Sequence, residues 1–547
     1  MFNKVLHSGK WPFTENNLVI LLKKPGRKDY SNTSNYRPIT LSSVCGKLFE
    51  KILEARLRAI TEEYNWLGDN QHGFRKNKST GTYLSHMLSV IQHNCSRKYA
   101  TAGIFVDLQK AFDSVWQDGM LYKLKELGFG SKFLKLIHSF LKDRKVKIRV
   151  NNYTSDAKSC QIGLPQGSIL SPLLFITYIA DMMKGIDGLP LQYADDCSII
   201  CWKPNQTELN ETLTSTCRKI TNWLSKWRLK VNCSKTDLVC FRGQPPQLEM
   251  SSENINIATE TKVLGLIVDH KLTFRQHKNM ANATLVRNWN MLLPYMLHGL
   301  SPKVIKTILN TVIIPKVFHN AFLWDSNSSM SLHCCLKDLL GVPFNPATDT
   351  LHKLADIPTL PIKYKADVFN LCRLAARDSI LCSILHQTKS NIQKTIRSCL
   401  VKLLGRHFDS QNIRPDHFKR SNIKEILKSE ALASWKTHMQ QGHNGEGLLS
   451  QLEITHLDNS PIPLTLPRHI TGQLCAVLTG HAKLQAFLYK IQYTYTPTCT
   501  CLLDDETVFH YLFSCPNYHN LRNRLNLDGT SHLSLLTYIK ESGRFTD

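Results

Sequence analysis

The sequence predicts an α+β fold, with a sheet in the first half of the chain and mostly helices in the second. Residues 103–106 are a short apolar run typical of a buried strand. Residues 191–200 contain two apolar runs joined at Asp195 and Asp196, and aspartate tolerates the backbone angles of a tight hairpin. Apolar residues at helical spacing follow this hairpin over 206–229. Strands and helices therefore alternate around the aspartates.

Composition limits the class of protein and its partners. The chain has 547 residues, of which 42% are hydrophobic and 20% are charged, as expected for two to four globular domains. The formal net charge of +25 favours a polyanion, either nucleic acid or an anionic membrane surface. No apolar run approaches the roughly 20 residues that span a bilayer, and no secretory leader follows Met1. We therefore expect an intracellular protein, not secreted, with no membrane partner and with nucleic acid as its partner.

The first 150 residues predict strands and helices separated by basic turns. Residues 18–22 read as a strand, 23–28 and 71–80 as basic turns, and 43–63 as an amphipathic helix. The apolar face predicted for this helix contains Leu48, Phe49, Ile52, Leu53, Leu57 and Ile60. In residues 145–150 strict alternation predicts a strand with one apolar and one cationic face. Val146, Ile148 and Val150 are expected to face the core, and Lys145, Lys147 and Arg149 to face solvent or a phosphate backbone.

The chain after the aspartates is predicted to be increasingly helical. The inward face of helix 206–229 is expected to consist of Leu209, Leu213, Ile220, Trp223, Leu224 and Trp227. Two helical runs over 277–325 break at Gly299, and Ser301 is the expected N-cap of the second. Residues 330–465 read as helices interrupted at Pro343, Pro346, Pro358, Pro361 and a polar break at 442–447.

Three motifs occur in order in the first half of the chain. The strand 103–106 ends at Asp107, a Gly/Pro-punctuated turn opens an apolar helix in residues 163–175, and the hairpin carries Asp195 and Asp196. Paired aspartates alone are most often a solvated turn. Together the three motifs closely resemble the palm of reverse transcriptases. The residues of each motif are most similar to those of non-LTR (LINE-like, jockey/I-like) retrotransposons. The resemblance covers most of residues 10–325 and again about 470–530.

This resemblance implies a right-hand polymerase fold. Fingers and a palm with a split βαβ sheet are expected in residues 1–270, and a helical thumb in 271–330. Residues 331–465 would form a helical connecting region, and residues 466–547 a zinc-knuckle-like tail. The stretch 262–268 resembles the hairpin that grips the primer.

The resemblance also implies RNA-directed DNA synthesis by two-metal nucleotidyl transfer. Asp107 and Asp195, assisted by Asp196, would hold two Mg²⁺ ions that activate a primer 3′-hydroxyl and stabilise the departing pyrophosphate. Neighbouring carboxylates repel, so a site that presents them together suits a hard cation. The alternative for Asp107 is that it caps the following helix.

Further residues take substrate-binding roles by the same resemblance. Phe112 would pack under the sugar and exclude a ribose 2′-hydroxyl, and Gln166 would contact the nucleotide or template. Arg75 is the candidate phosphate contact, whereas Arg37 is expected to be structural. Lys235 would donate a proton to pyrophosphate, with a plain surface charge as an equal alternative.

Near the end, Cys499, Cys501, His510 and Cys515 supply the four ligands that a closed zinc site needs. The Cys-x-Cys spacing is tighter than usual, and buried cysteines without a metal are the alternative. The stretch resembles the zinc-knuckle-like tail of non-LTR elements, which favours structural Zn²⁺.

The expected partners are an RNA template, a DNA primer or target, and deoxynucleoside triphosphates. Such elements usually carry an endonuclease; because this chain starts almost at the fingers, we expect that activity to be supplied elsewhere or lost. A group II intron-type maturase and a truncated, non-catalytic RNA-binding remnant stay open as alternatives. A ribonucleotide polymerase is disfavoured by Phe112.

Overall fold

The computed structural model describes residues 2–13, 17–26, 29–142, 144–325, 330–342, 345–375, 423, 425–430, 433, 468–527 and 532–545. They belong to two compact units. The first contains the described residues up to Phe274 together with Leu374 and Ala375, and the second contains Arg275–Arg373 and the described residues after Thr395. The predicted division of residues 271–547 into thumb, connecting region and tail stays a prediction, and its polar break at 442–447 lies outside the described residues.

The strands of the described residues all lie in the first unit. They are β1 (Asn17–Lys23), β2 (Tyr36–Leu41), β3 (Ala100–Val106), β4 (Lys145–Val150), β5 (Tyr153–Thr154), β6 (Lys158–Ser159), β7 (Leu189–Tyr193), β8 (Asp196–Lys203), β9 (Asp237–Arg242), β10 (Glu249–Met250), β11 (Glu253–Asn254), β12 (Asn256–Ile257), β13 (Glu260–Val263) and β14 (Leu266–Asp269).

Helices of the same unit connect these strands. They are α1 (Phe2–Ser8), α2 (Val44–Glu63), α3 (Thr80–Ser96), α4 (Gln117–Glu126), α5 (Ser131–Lys142), α6 (Ser171–Tyr178) and α7 (Gln206–Lys226). Their N-termini follow from local capping. Ser43, Ser79 and Asn205 each accept a hydrogen bond from a backbone N–H in the first turn of α2, α3 and α7.

A five-stranded sheet in the order β12-β9-β3-β8-β7 forms the centre of the first unit. Strand β3 lies in the middle, antiparallel to both β8 and β9, and every residue of β3 is buried. On one face, Ile104 and Ile199 join a core that includes Leu213 of α7. On the other face, the Tyr83 hydroxyl of α3 donates to Ser198 Oγ at 2.6 Å. Because helices cover both faces, β3 is apolar throughout, as its sequence predicts.

A second sheet, β2-β1-β4-β5 with β6 also on β4, contains the predicted strand 145–150. The strand is confirmed, but its predicted core face is wrong. Ile148 and Val150 are 41% and 50% exposed, and Val146 is half-buried. The other partners of β4 are the two-residue strands β5 and β6, which add no apolar layer. Alternation reveals two faces, but it does not reveal whether a core covers one of them.

Helix α2 is confirmed, but its buried face differs from the prediction at Leu48. Leu48 is 53% exposed, whereas Phe49, Leu53 and Leu57 are buried. Glu50 is also buried on this face. Its Oε2 accepts hydrogen bonds from Ser168 Oγ at 2.5 Å and from the N–H groups of the next two residues at 2.7 and 3.3 Å. A carboxylate on α2 therefore holds the turn that precedes α6.

Helix α7 agrees with its predicted face. Leu209, Leu213, Ile220, Leu224 and Trp227 are buried, and Trp223 is half-buried. The stretch 262–268 is a hairpin of β13 and β14. Its turn residues Leu264 and Gly265 both have positive φ angles, 46° and 91°, as a two-residue hairpin turn of this type requires.

The described residues of the second unit are helical apart from loops and turns. Its α-helices are α8 (Arg275–Leu297), α9 (Pro302–Ile308), α10 (Ile314–Val317), α11 (Ala321–Trp324), α12 (His333–Leu340), α13 (Thr348–Ala355), α14 (Leu360–Ala375), α15 (Arg468–Thr479), α16 (Gln485–Lys490), α17 (His519–Leu525) and α18 (His532–Glu541). Helix α12 packs on α13 and α15, and α18 packs on α15 and α17.

Of the predicted helix boundaries, one is confirmed and one needs correction. Ser301 is the N-cap residue of α9, in extended conformation, although its side chain makes no capping hydrogen bond. Pro361 is the second residue of α14, where proline is tolerated because no helical N–H is lost, so it lies within a helix and does not interrupt one. Within the part of the chain that the structure describes, no helix is long and apolar enough to cross a bilayer.

Removal of the Glu50 carboxylate tests its structural role. We expect Glu50→Ala to lower the free energy of unfolding by about 2–4 kcal/mol, because the Ser168 hydroxyl and the N–H of Ile169 lose their acceptor, whereas the N–H of Leu170 keeps its hydrogen bond to Ser168 Oγ. Chemical denaturation checks the value, with Lys51→Ala, at an exposed neighbour, as the control. Equal stability of the two variants would contradict the role assigned to Glu50.

Candidate active site

Asp107 directly follows the buried strand β3, and hydrogen bonds fix its backbone. Its N–H donates to Thr236 Oγ1 at 3.2 Å, and its carbonyl accepts from the N–H of Asn232 at 2.8 Å. The next helix, α4, begins only at Gln117. Asp107 therefore caps no helix, and the alternative of a helix cap is wrong.

Asp195 and Asp196 lie at the turn between β7 and β8, as the sequence predicts. Tyr193 pairs with Asp196, so Ala194 and Asp195 form the two-residue turn, and Ala194 has a φ of 57°. Asp196 is the first residue of β8. Val106 pairs with Cys197 in the neighbouring strand, so one further step of this antiparallel register brings Asp107 opposite Asp196.

The electrostatics agree with three crowded carboxyl groups. Both hairpin aspartates expose part of their surface, yet the protein around their carboxyl groups desolvates them and raises their pKa. The charge of Asp107 raises both further, and that of Asp195 also acts on Asp196, whose pKa rises to about 6. The positive charge of Arg37 opposes the rise at Asp195. A divalent cation would relieve this repulsion.

Lys235 lies beside the same carboxylates. Its Nζ is 3.8 Å from Asp107 Oδ2, and both side chains are partly exposed. Lys235 ends a short 3₁₀ turn that follows Asn232, the residue that donates to the Asp107 carbonyl. The structure therefore places the predicted lysine at the edge of the aspartate cluster, where an anionic group would meet it.

Phe112 and Gln166 come together through the turn that carries the second motif. The N–H of Leu164 donates to the carbonyl of Phe112 at 2.8 Å. Gln166 Nε2 donates to Asp113 Oδ1 at 2.8 Å, and the Phe112 ring stacks on Phe175 with centroids 4.5 Å apart. Phe112 is half-buried, so it packs against the core and still presents one part of its ring.

The two arginines considered in the sequence analysis lie in different surroundings. Arg75 binds Glu62 through Nε at 3.0 Å and through NH2 at 2.5 Å, and it also donates to the carbonyl of Gly68. With its side chain only 7% exposed, it is a structural residue, and the predicted phosphate contact is wrong for this structure. Arg37, expected to be structural, is exposed on β2 and acts electrostatically on Asp195.

The four predicted zinc ligands lie together in the second unit. Ligand atoms of Cys499, Cys501, His510 and Cys515 are all within 4.8 Å of one another. The Sγ atoms of Cys499 and Cys515 are 3.7 Å apart, and Cys501 Sγ is 3.2 Å from His510 Nε2. The N–H of Leu503 lowers the pKa of the Cys501 thiol, which favours the thiolate that binds metals.

A carboxylate and a small core support this cluster. Asp504 Oδ2 is 3.9 Å from His510 Nδ1, on the side of the ring opposite the cysteines. The buried Glu506 pairs with Arg544 at 2.8 and 2.9 Å, and Tyr511 packs on Tyr538. Four soft or borderline donors with an outer carboxylate suit a tetrahedral Zn²⁺ site.

Similarity to known proteins agrees with this geometry. Residues 22–268 match the reverse transcriptase (RNA-dependent DNA polymerase) family. The probable RNA-directed DNA polymerase from transposon BS of Drosophila melanogaster is 33% identical over 277 residues, which cover 47% of this chain and 30% of that protein. The RNA-directed DNA polymerase from mobile element jockey of Drosophila funebris is 29% identical over 289 residues, which cover 51% and 31%.

A third relative matches almost the whole chain. The Pol polyprotein from the type-1 retrotransposable element R1 of Bradysia coprophila is 24% identical over 535 residues, which cover 94% of this chain and 49% of that protein. The chain thus spans between about a third and a half of the length of these relatives. Residues 22–268 are thus similar to the reverse transcriptase family, and the relatives that the chain matches come from transposable elements.

Proposed function

We propose that this chain is an RNA-directed DNA polymerase of a non-LTR retrotransposon, which extends a DNA 3′-hydroxyl on an RNA template. The observation that carries the proposal is the position of Asp107, Asp195 and Asp196 on neighbouring strand ends within the family match. The match to the R1 element over 94% of the chain favours this function over a group II intron-type maturase.

The three carboxylates fit divalent cations. Oxygen donors are the ligands that Mg²⁺ prefers, and desolvation, together with the charges of the neighbouring carboxylates, raises the pKa of Asp195 and of Asp196. Asp107 and Asp195, with Asp196 assisting, would hold two Mg²⁺ ions. When bound, the ions lower the pKa of a primer hydroxyl and neutralise charge on the phosphates.

Protein side chains would complete the nucleotide site. Lys235 would donate a proton to the departing pyrophosphate, and the 3.8 Å between its Nζ and Asp107 Oδ2 supports this role. Phe112 would pack against the sugar and exclude a ribose 2′-hydroxyl, supported from behind by Phe175. Gln166 lies near Phe112, with its amide oriented by Asp113, and would contact the nucleotide or template. Arg37, which is exposed and whose charge lowers the pKa of Asp195, would contact a phosphate in place of Arg75.

The charge of the chain supports polyanionic substrates. The net charge is +25, and Lys145, Lys147 and Arg149 lie exposed on β4. Such cations release counterions when they bind phosphates. The affinity for the proposed RNA template and DNA primer should therefore fall steeply as the salt concentration rises.

Primer extension tests this proposal. With a poly(rA) template, an oligo(dT) primer, dTTP and Mg²⁺, we expect the wild type to extend the primer and Asp195→Ala to lose at least 10³-fold in rate, because metal coordination is lost. Asp187→Ala, which removes a carboxylate paired with Lys203 on the far end of the hairpin, is the control.

The outcomes separate the alternatives. Extension by wild type and by the control, but not by Asp195→Ala, supports the polymerase and its metal site. Inactive wild type that still binds RNA in a salt-dependent way would instead indicate a non-catalytic RNA-binding protein.

We also propose that Cys499, Cys501, His510 and Cys515 bind one structural Zn²⁺ ion. The convergence of all four ligand atoms supports this, as does the outer carboxylate of Asp504. In such sites the metal replaces part of the hydrophobic core that a small segment cannot build.

Zinc content tests the site. Elemental analysis of protein expressed with added zinc should find about one Zn²⁺ per chain, and Cys515→Ser should retain less than a tenth of it. Cys334→Ser, which changes an exposed cysteine outside the cluster, is the control. Zinc-free wild type, or full zinc in Cys515→Ser, would exclude the proposal.

A further inference from the structure

The segment Asn70–Phe74, named here the QHGF loop, is hydrogen-bonded to the hairpin that carries Asp195 and Asp196. The N–H of Gln192 in β7 donates to the carbonyl of Asn70 at 2.9 Å, and the N–H of His72 donates to the carbonyl of Gln192 at 2.7 Å. Gln71 and Gln192 form a parallel bridge. The loop therefore extends the central sheet at its β7 edge, next to the turn that carries Asp195.

The side chain of Gln71 reaches that turn. It is fully buried, and its Oε1 accepts hydrogen bonds from the N–H of Gly73 at 2.8 Å and from the N–H of Ala194 at 3.1 Å. Both partners are donors, so the atom between them is the carbonyl oxygen of the amide. Ala194 has a φ of 57° and directly precedes Asp195. Gln71 thus fixes the strained residue of the turn.

Gly73 allows this close approach. A Cβ at this position would lie 2.5 Å from the backbone nitrogen of Ala194, a contact that real side chains do not make. The loop and the turn are consequently in backbone contact, and any larger residue must push the turn away.

Other contacts hold the QHGF loop rigid. His72 Nδ1 is hydrogen-bonded to Thr82 Oγ1 of α3 at 2.9 Å, and Arg58 of α2 donates to the carbonyl of Phe74. Arg75 continues the connection to α2 through Glu62. The QHGF loop therefore connects helices α2 and α3 to the turn that carries Asp195.

We propose that Gln71 is a positioning residue for the two hairpin aspartates. Its amide oxygen accepts from the Ala194 N–H, and this sets the distance of Asp195 and Asp196 from Asp107, the residues that would hold the metal ions. The inference rests on the proposed polymerase function. It assigns no contact between Gln71 and the substrate.

The test compares Gln71→Met, which keeps the length of the side chain and removes the acceptor, with wild type in primer extension. We expect kcat to fall about 10- to 100-fold, because small misplacement of reacting groups has effects of this size. The Mg²⁺ concentration for half-maximal activity should rise at least threefold. The dissociation constant of the template–primer duplex should change less than twofold. A general loss of structure would instead weaken binding of the duplex as well.

Matched variants separate positioning from stability. Tyr178→Phe removes another buried hydrogen bond of this unit, from the Tyr178 hydroxyl to the carbonyl of Trp227, and should leave the Mg²⁺ dependence unchanged. Gly73→Ala should reproduce the defect of Gln71→Met by pushing the turn. Gly130→Ala, where a Cβ meets nothing within 4 Å, should not.

Hydrogen exchange keeps the test independent of activity. The amide of Ala194 should exchange at least tenfold faster in Gln71→Met than in wild type, while amides of β3 keep their protection. Unchanged exchange at Ala194, or unchanged kcat and Mg²⁺ dependence in an active enzyme, would overturn the proposal. If wild type itself is inactive, the polymerase function fails, and exchange at Ala194 still decides whether Gln71 holds the turn.

Discussion

The aspartate site of the first unit depends on holding three carboxyl groups, those of Asp107, Asp195 and Asp196, together in a partly desolvated place. Desolvation, and in addition the charges of Asp195 and Asp107, raise the pKa of Asp196, so its ionised form disfavours the folded state unless a cation neutralises it. The cost is offset by the apolar burial behind the carboxylates. Strand β3 is buried on both faces, so the backbone that presents Asp107 cannot move away from the hairpin without opening the core.

Buried polar side chains complete this arrangement, and each acts on backbone groups. Thr236 accepts from the N–H of Asp107, Gln71 accepts from the N–H of Ala194, and Glu50 accepts from the turn before α6. A hydrogen bond of this kind adds only modestly to the free energy of unfolding. A buried donor left without its acceptor, however, lowers that free energy by more. They therefore fix three separate chain segments around one site more strictly than apolar packing alone would.

Local patterns were sufficient to predict the elements that carry the aspartates. The apolar run before Asp107 predicts a strand, and the aspartate pair between two apolar runs predicts a hairpin, because both signals are confined to a few residues. The catalytic role of the aspartates was predicted from the resemblance to reverse transcriptases and not from these local patterns. Burial was harder to predict, as Leu48 and Ile148 show, because periodicity identifies a face without showing what covers it.

Long-range partners could not be predicted at all. Arg75 forms an ion pair with Glu62. Gln71 and Glu50 each accept hydrogen bonds from residues about 120 positions away in sequence. One local signal was present for Glu50, a charged residue beside Phe49 on the apolar side of an amphipathic helix. A charge in that position needs a buried partner. For Gln71 the sequence offers no comparable signal, since a polar residue in a glycine-containing turn is ordinary.

The most direct measurement of the central claim is the melting temperature of wild type and Asp196→Asn, each with EDTA and with Mg²⁺ at pH 7.5. Because the folded-state pKa of Asp196 is raised from 3.8 to about 6, its charge destabilises the fold above that pH and the effect disappears as pH falls toward 4. We therefore expect Asp196→Asn to melt higher than wild type in EDTA, and Mg²⁺ to raise the melting temperature of wild type more than that of the variant. Equal melting temperatures in EDTA, with no response to Mg²⁺ in either protein, would contradict the account.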